Sequence, residues 1–152
     1  MTGKNVEGET KVVEEVLHLI ENDDPLFKTV FIHDSYLNEH PNGVTSYERL
    51  EFLGDAVIGL TISDYYYRNT TDKEGDLTEK RKLKVCRKAL AKAARNLNLD
   101  KHLILGRGEN NNNGRNKDKI LADCFEALLG AIFINFGYDK AYQFATQVLI
   151  DE

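Results

Sequence analysis

The chain is poor in several features that mark other protein classes. It has no apolar run approaching the roughly 20 residues that a bilayer-spanning helix needs, which argues against a membrane partner. Its opening stretch, MTGKNVEGETK, lacks the apolar core of a secretory leader and the Arg-rich amphipathic pattern of a transit peptide. There are two cysteines, Cys86 and Cys124, far apart and in no CxxC pattern. That excludes a disulfide scaffold and fits a reducing compartment, with both thiols expected as small buried groups. No segment of useful length alternates apolar and polar residues with period two, so a sheet-based fold is excluded and the expectation is all-α. The chain also lacks a basic surplus: its net charge is −5. These absences leave an intracellular protein, cytoplasmic by default with the nucleus left open.

What is present suits one globular domain of 152 residues with 41% apolar and 30% charged residues. The expected layout is a loose polar segment at 1–10 followed by one domain at 11–152. Val12, Val16 and Ile20 predict a helix over 11–21. Asp24 followed by Pro25 is a helix start, a cap and then a residue whose missing N–H costs nothing there. Pro41, Asn42 and Gly43 break the chain. Thr45 and Glu48 form a capping-box pattern that opens a long helix to about 67. Asp76, with Glu79 at its third position, is expected to cap another running to about 96, and 99–105 reads as a short helix. The asparagine-rich stretch 106–117 reads as an exposed loop. An apolar helix over 119–136 stops at Gly137, and 139–149 makes the last helix.

Charge is unevenly distributed. Between Lys80 and Arg95 there are eight Lys or Arg and no acid. That basic stripe on an acidic body is the pattern of a phosphate-binding surface. Lys80, Arg81, Lys84, Arg87 and Lys88, with Arg107, Arg115 and Lys117 on the loop, are the candidate contacts; a solvated helix face is the alternative reading.

The acids are more informative. Glu48, Glu51 and Asp55 stand at i, i+3 and i+7, within an arc of roughly 60° on a helix. Asp123 and Glu126 stand at i and i+3 in a segment that is otherwise almost wholly apolar, where an acid is costly unless paired or bound to a cation. Two such helices packed together would gather four or five carboxylates, a set suited to Mg²⁺ or Mn²⁺. Gly54 and Gly130 sit inside the same helices, where glycine is tolerated if another backbone must come close. Glu48 has a second reading, as the capping partner of Thr45.

The string ERLEFLGDA at 48–56 closely resembles the signature motif of the ribonuclease III family. DCFEALLGA at 123–131 resembles its second acidic motif, EGDLTEKR at 74–81 lies between them, and His33, Ser35 and Tyr36 resemble an upstream H-x-S-Y element. The resemblance implies the helical endonuclease-domain fold, with Glu51, Asp55, Asp123 and Glu126 as catalytic metal ligands. It also implies Glu48 and Glu74 as further acids of the catalytic valley, and a homodimer in which Phe52 fits a socket on the partner. The implied activity is Mg²⁺-dependent cleavage of double-stranded RNA, Mn²⁺ being a possible substitute. Each site would cut one strand, leaving 5′-phosphate and 3′-hydroxyl ends with short 3′ overhangs. No double-stranded-RNA-binding domain is expected within the chain. His33 and Ser35 are expected to make local structural hydrogen bonds, and at least one of Tyr65, Tyr66 and Tyr67 to enter the core.

Overall fold

A computed structural model describes residues 3–41 and 43–151, with side chains from residue 11 onward. Its helices are α1 (Gly3–Glu21), α2 (Pro25–Thr29), α3 (Asp34–Glu39), α4 (Glu48–Asn69), α5 (Glu74–Val85), α6 (Arg87–Asn96), α7 (Arg107–Asn111), α8 (Asp118–Phe136) and α9 (Tyr138–Leu149). The all-α expectation holds. Among the described residues the nearest approach to a sheet is a single parallel bridge between Ile32 and Ile104.

The central element is α8. Its apolar run buries Ile120, Leu121, Phe125, Leu128, Leu129 and Ile132. α4, α6 and α9 pack around it, and α1 lies on α9. Phe27, Ile58, Ile62, Leu90 and Phe144 complete the same core. Burying such side chains contributes roughly 1.5–3 kcal/mol each. No helix among the described residues is long and apolar enough to cross a membrane.

Local chemistry explains several boundaries. Asp24 Oδ1 accepts hydrogen bonds from the backbone N–H of Leu26 and Phe27 at 3.1 and 3.4 Å, and Pro25 occupies the first turn of α2. Gly137 ends α8 with φ +88°, a left-handed value that suits glycine.

Other boundaries differ from the sequence reading. α1 begins upstream of residue 11, so 3–10 are helical in backbone; Met1 and Thr2 of the expected loose segment lie outside the described residues, as does Asn42 of the expected break. The Thr45 capping box does not form. Tyr47 is buried and its N–H donates to Ile32 O at 2.9 Å, which fixes the chain's entry into α4. Glu48 N–H then donates to Ser46 Oγ at 3.3 Å, leaving Thr45 outside.

The expected single helix from Asp76 to residue 96 starts at Glu74 and is split by an extended Cys86 (ψ 159°). α5 lies along α4 and has no fully buried residue, whereas α6 turns to pack Leu90, Ala91, Ala93 and Ala94 into the core. One straight helix could not follow both surfaces. Cys86 is exposed at that break, so Cys124 is the one buried thiol of the two.

The segment 99–105 is a short 3-10 turn (Leu99–His102) leading to the Ile104 bridge. The stretch 106–117 is no open loop. It holds α7 and a second 3-10 turn (Gly114–Asn116), and Arg115 Nη1 donates to the carbonyls of Asp100 and Leu103 at 2.9 and 2.8 Å. None of Tyr65, Tyr66 and Tyr67 is buried; Tyr66 packs only at the edge of the core.

Candidate active site

The site is made by the crossing of α4 and α8. A Cβ on Gly54 would stand 1.6 Å from the carbonyl oxygen of Glu126, and one on Gly130 would stand 2.4 Å from that of Leu50. Both positions therefore require glycine, and the two backbones touch there. The contact sets Glu51 and Asp55 directly beside Asp123 and Glu126.

The carboxylate oxygens of Glu51, Asp123 and Glu126 lie within 4.8 Å of one another. Asp55 shares a hydrogen bond with Glu126. Glu48 sits at the rim, hydrogen-bonded to Asp34 at the start of α3. All five acids that the sequence reading placed on α4 and α8 thus line one open cavity of about 540 Å³, with His33, Asp34, Tyr47, Phe52 and Lys119. Glu74 does not join them. It lies on the exposed first turn of α5 and accepts a hydrogen bond from Thr78 Oγ1 at 3.1 Å.

Crowding and burial work against ionisation here. Burial, then the charge of Asp123, pushes the Glu51 carboxyl up to about 7. Burial, then the hydrogen bond and charge of Asp55, pushes Glu126 up to about 8. The hydrogen bond between Asp34 and Glu48 acts on them in opposite directions, lowering the Asp34 carboxyl and raising that of Glu48. Burial also raises the Tyr47 phenol, with the surrounding carboxylates adding to it.

This donor set fits a hard divalent cation. Three carboxylates converge from two rigid helices, their charges are uncompensated by one another, and a cation between them would remove the penalty that holds two of them partly protonated. The cavity is not free of imidazole, since His33 lines it. His33 Nδ1, however, accepts from the Ser35 N–H at 3.1 Å and lies 2.8 Å from Ser35 Oγ, while Ser35 Oγ accepts from Gly106 N–H at 2.8 Å. Both residues hold the chain in shape, as expected.

Three lining residues escaped the sequence reading. Asp34 follows His33 directly and Tyr47 precedes the first acid. Lys119 stands four residues before Asp123, a spacing that signals an ion pair; its Nζ is 2.7 Å from Asp123 Oδ2.

The candidate phosphate contacts are divided by the structure. Lys80 is paired with Asp72 and lies over the Tyr66 ring, and Arg81 donates to Ser63 Oγ at 2.9 Å. Arg115 points inward, and Lys117 is paired with Glu109 at 2.6 Å. Arg87, Lys88 and Arg107 are exposed, and Lys84 is half-exposed.

On the outer side of α4, Phe52, Leu60 and Tyr67 are 84, 58 and 77% exposed and, at about 100° per residue, share one stripe. Leu83 of α5 adds a fourth exposed apolar side chain.

Comparison with known proteins concerns the chain and its fold as a whole. A family model described as Ribonuclease-III-like matches residues 23–152. Ribonuclease 3 of Streptococcus sanguinis is 44% identical over 142 residues, 92% of this chain and 61% of that protein. Ribonuclease 3 of Oceanobacillus iheyensis is 44% identical over 87% of this chain and 59% of its own length. The chain thus spans about three fifths of the curated relatives it matches. A solved nuclease domain of ribonuclease III from Campylobacter jejuni superposes with TM-score 0.79 at 33% identity, covering 91% of this chain and 96% of that one; it is described as flexible in a region involved in dimer formation.

Proposed function

The chain belongs to the ribonuclease-III-like family, and from that premise we propose that it is a divalent-metal-dependent endonuclease that hydrolyses the phosphodiester bonds of double-stranded RNA. The observation that carries this reading is the convergence of Glu51, Asp123 and Glu126 within 4.8 Å at the glycine crossing of α4 and α8. Glu51, Asp55, Asp123 and Glu126 would hold Mg²⁺, or Mn²⁺ in its place. When bound, such an ion supplies water activation and neutralises charge that develops on the phosphate.

The chain's own groups do the rest. The α4–α8 crossing fixes the carboxylates on rigid elements, so little reorganisation is needed when RNA arrives. Glu48, hydrogen-bonded to Asp34, stands at the rim of the cavity. Lys84, Arg87, Lys88 and Arg107 reach phosphates of an A-form duplex, which is recognised by shape more than by sequence.

Phe52 and the exposed stripe of α4 are covered by a second copy of the chain in a two-fold dimer. Two carboxylate clusters then face one groove, and each cuts one strand. Glu74, remote from its own chain's cluster, would meet RNA along that groove. The products carry 5′-phosphate and 3′-hydroxyl ends with short 3′ overhangs. A cytoplasmic setting belongs to the same reading.

The test is incubation of end-labelled duplex RNA with the protein, with and without Mg²⁺, followed by mapping of both product ends. Metal-dependent cuts staggered across the duplex are expected. Intact duplex at every enzyme excess, with Mg²⁺ and with Mn²⁺, leaves only a non-cleaving RNA-binding role.

A further inference from the structure

Among the described residues that line the carboxylate cavity, Lys119 is the only lysine or arginine. Its ammonium sits 2.7 Å from Asp123 Oδ2, with 65% of the lysine side chain exposed against 15% of the aspartate's. It therefore covers its partner on the solvent side.

Local helix energetics do not account for a lysine at this place. Lys119 lies in the first turn of α8, where the helix dipole disfavours a positive charge. A lysine that precedes its acid by four residues is also the weaker orientation of such a pair. Arg87 of α6 is near enough to repel it. What favours the lysine is the carboxylate of Asp123 in direct contact with it, with the charge of Glu51 adding to the attraction.

We propose that Lys119 is a resident counter-ion: it occupies Asp123 in the metal-free protein and has to be displaced before a divalent cation binds there, so it sets the metal affinity of the site. The inference rests on the reading of the carboxylate cluster as a metal centre. Lys119 is a positioning residue in this scheme, acting through Asp123. Two effects oppose the metal while the lysine is present. One Asp123 oxygen is already engaged, and the displaced ammonium, tethered to the same helix turn, still repels the ion. A unit charge and a divalent ion about 5 Å apart in a water-like medium repel by enough to change affinity about tenfold.

The experiment measures Mn²⁺ binding to the whole chain without RNA, by electron paramagnetic resonance of the free ion, at one pH and low ionic strength. Wild type is compared with Lys119→Arg, Lys119→Met and Lys119→Glu, each checked for an unchanged melting curve. Lys119→Gln replaces Lys119→Met should the latter melt early.

The Arg variant is expected to match wild type within about twofold. The Met variant is expected to bind about 5- to 20-fold more tightly, and the Glu variant more tightly again, with the differences shrinking as salt is added. The Mg²⁺ concentration for half-maximal cleavage should fall in the same order. Mn²⁺ binding in the Met variant that equals or falls below wild type overturns the role of Lys119 and leaves the metal centre standing. Failure of every protein, wild type included, to bind Mn²⁺ at millimolar concentration removes the metal centre and the inference together.

Discussion

Two charged regions of this molecule are built on opposite plans. α8 is buried along most of its length, and its acids are embedded in the core-forming helix. α5 has no fully buried residue, and the basic stretch that continues into the first turn of α6 lies at the surface. Acids in the first region are held at a fixed separation by packing, which makes their mutual repulsion unavoidable and a cation welcome. In the second region Lys80 is tied to Asp72 and Arg81 to Ser63, whereas Arg87 and Lys88 stand exposed and can adapt to a phosphate backbone. The same difference assigns each region its sensitivity: the crossing of α4 and α8 should couple fold and chemistry, and the basic stretch should separate them.

The largest effect should come from Gly54→Ala. Its new Cβ would meet the Glu126 carbonyl oxygen at 1.6 Å, and the obstacle is backbone on both sides. The helices must separate, at a cost of about 3 kcal/mol or more, with cleavage lost as Glu126 shifts. Gly75→Ala in α5 meets nothing within 4 Å and should change stability by less than about 1 kcal/mol. Urea denaturation of the two variants checks the contrast; equal losses would erase the distinction between the regions.

Next comes Glu126→Gln. Removing a direct ligand should lower cleavage at least about 100-fold, the upper end of what even an outer partner of a metal site costs. The metal-free protein should nevertheless melt no lower at pH 8, because the amide abolishes the expense of ionising a carboxyl raised to about 8. Loss of activity accompanied by a marked fall in melting temperature would mean that Glu126 is a structural acid.

The third effect is pH-dependent. Unfolded glutamates lose their protons near 4.5, whereas folded Glu51 and Glu126 hold theirs to about 7 and 8. Between those limits the folded state binds more protons than the unfolded state, so stability falls as pH rises. The contribution of these two groups is full below about 4.5, is lost as pH climbs to about 8, and changes little beyond. Melting temperatures of metal-free wild type and the double variant Glu51→Gln/Glu126→Gln, compared across pH 5 to 9, isolate it. The difference between the two should grow with pH and shrink again when Mn²⁺ is added to wild type.

The two regions also differed in how much of them the sequence disclosed. The acids of α4 and α8 were legible because helical spacing, an apolar setting and an interior glycine all indicate the same close crossing. The end of α8 was legible because an apolar run stops at a glycine. Nothing between Asp76 and Asn96 breaks a helix locally, so the turn at Cys86 was invisible; it exists because α6 packs its alanines on α8. The order within 106–117 depends on Ser35 and on Asp100 and Leu103, contacts that no local pattern encodes. Lys119 was readable as the partner of Asp123 by its spacing, yet its place over the acid cluster depends on a helix far away in sequence.

The smallest effect belongs to the basic stretch. Lys88 is exposed on the first turn of α6, away from the packed face of that helix. Truncating it to alanine leaves the core untouched, so stability should stay within about 0.5 kcal/mol of wild type. Removing one charge that neutralises a phosphate should flatten the dependence of the logarithm of RNA affinity on the logarithm of salt by about 0.9. Lys88→Ala should therefore bind duplex RNA a few-fold more weakly at low salt and almost equally well at high salt, with Mn²⁺ affinity unchanged. The measurement is a salt titration of duplex binding by fluorescence anisotropy in Ca²⁺. A slope identical to wild type would show that this lysine faces solvent and not RNA, and would shift the phosphate-binding surface toward Arg87 and Arg107.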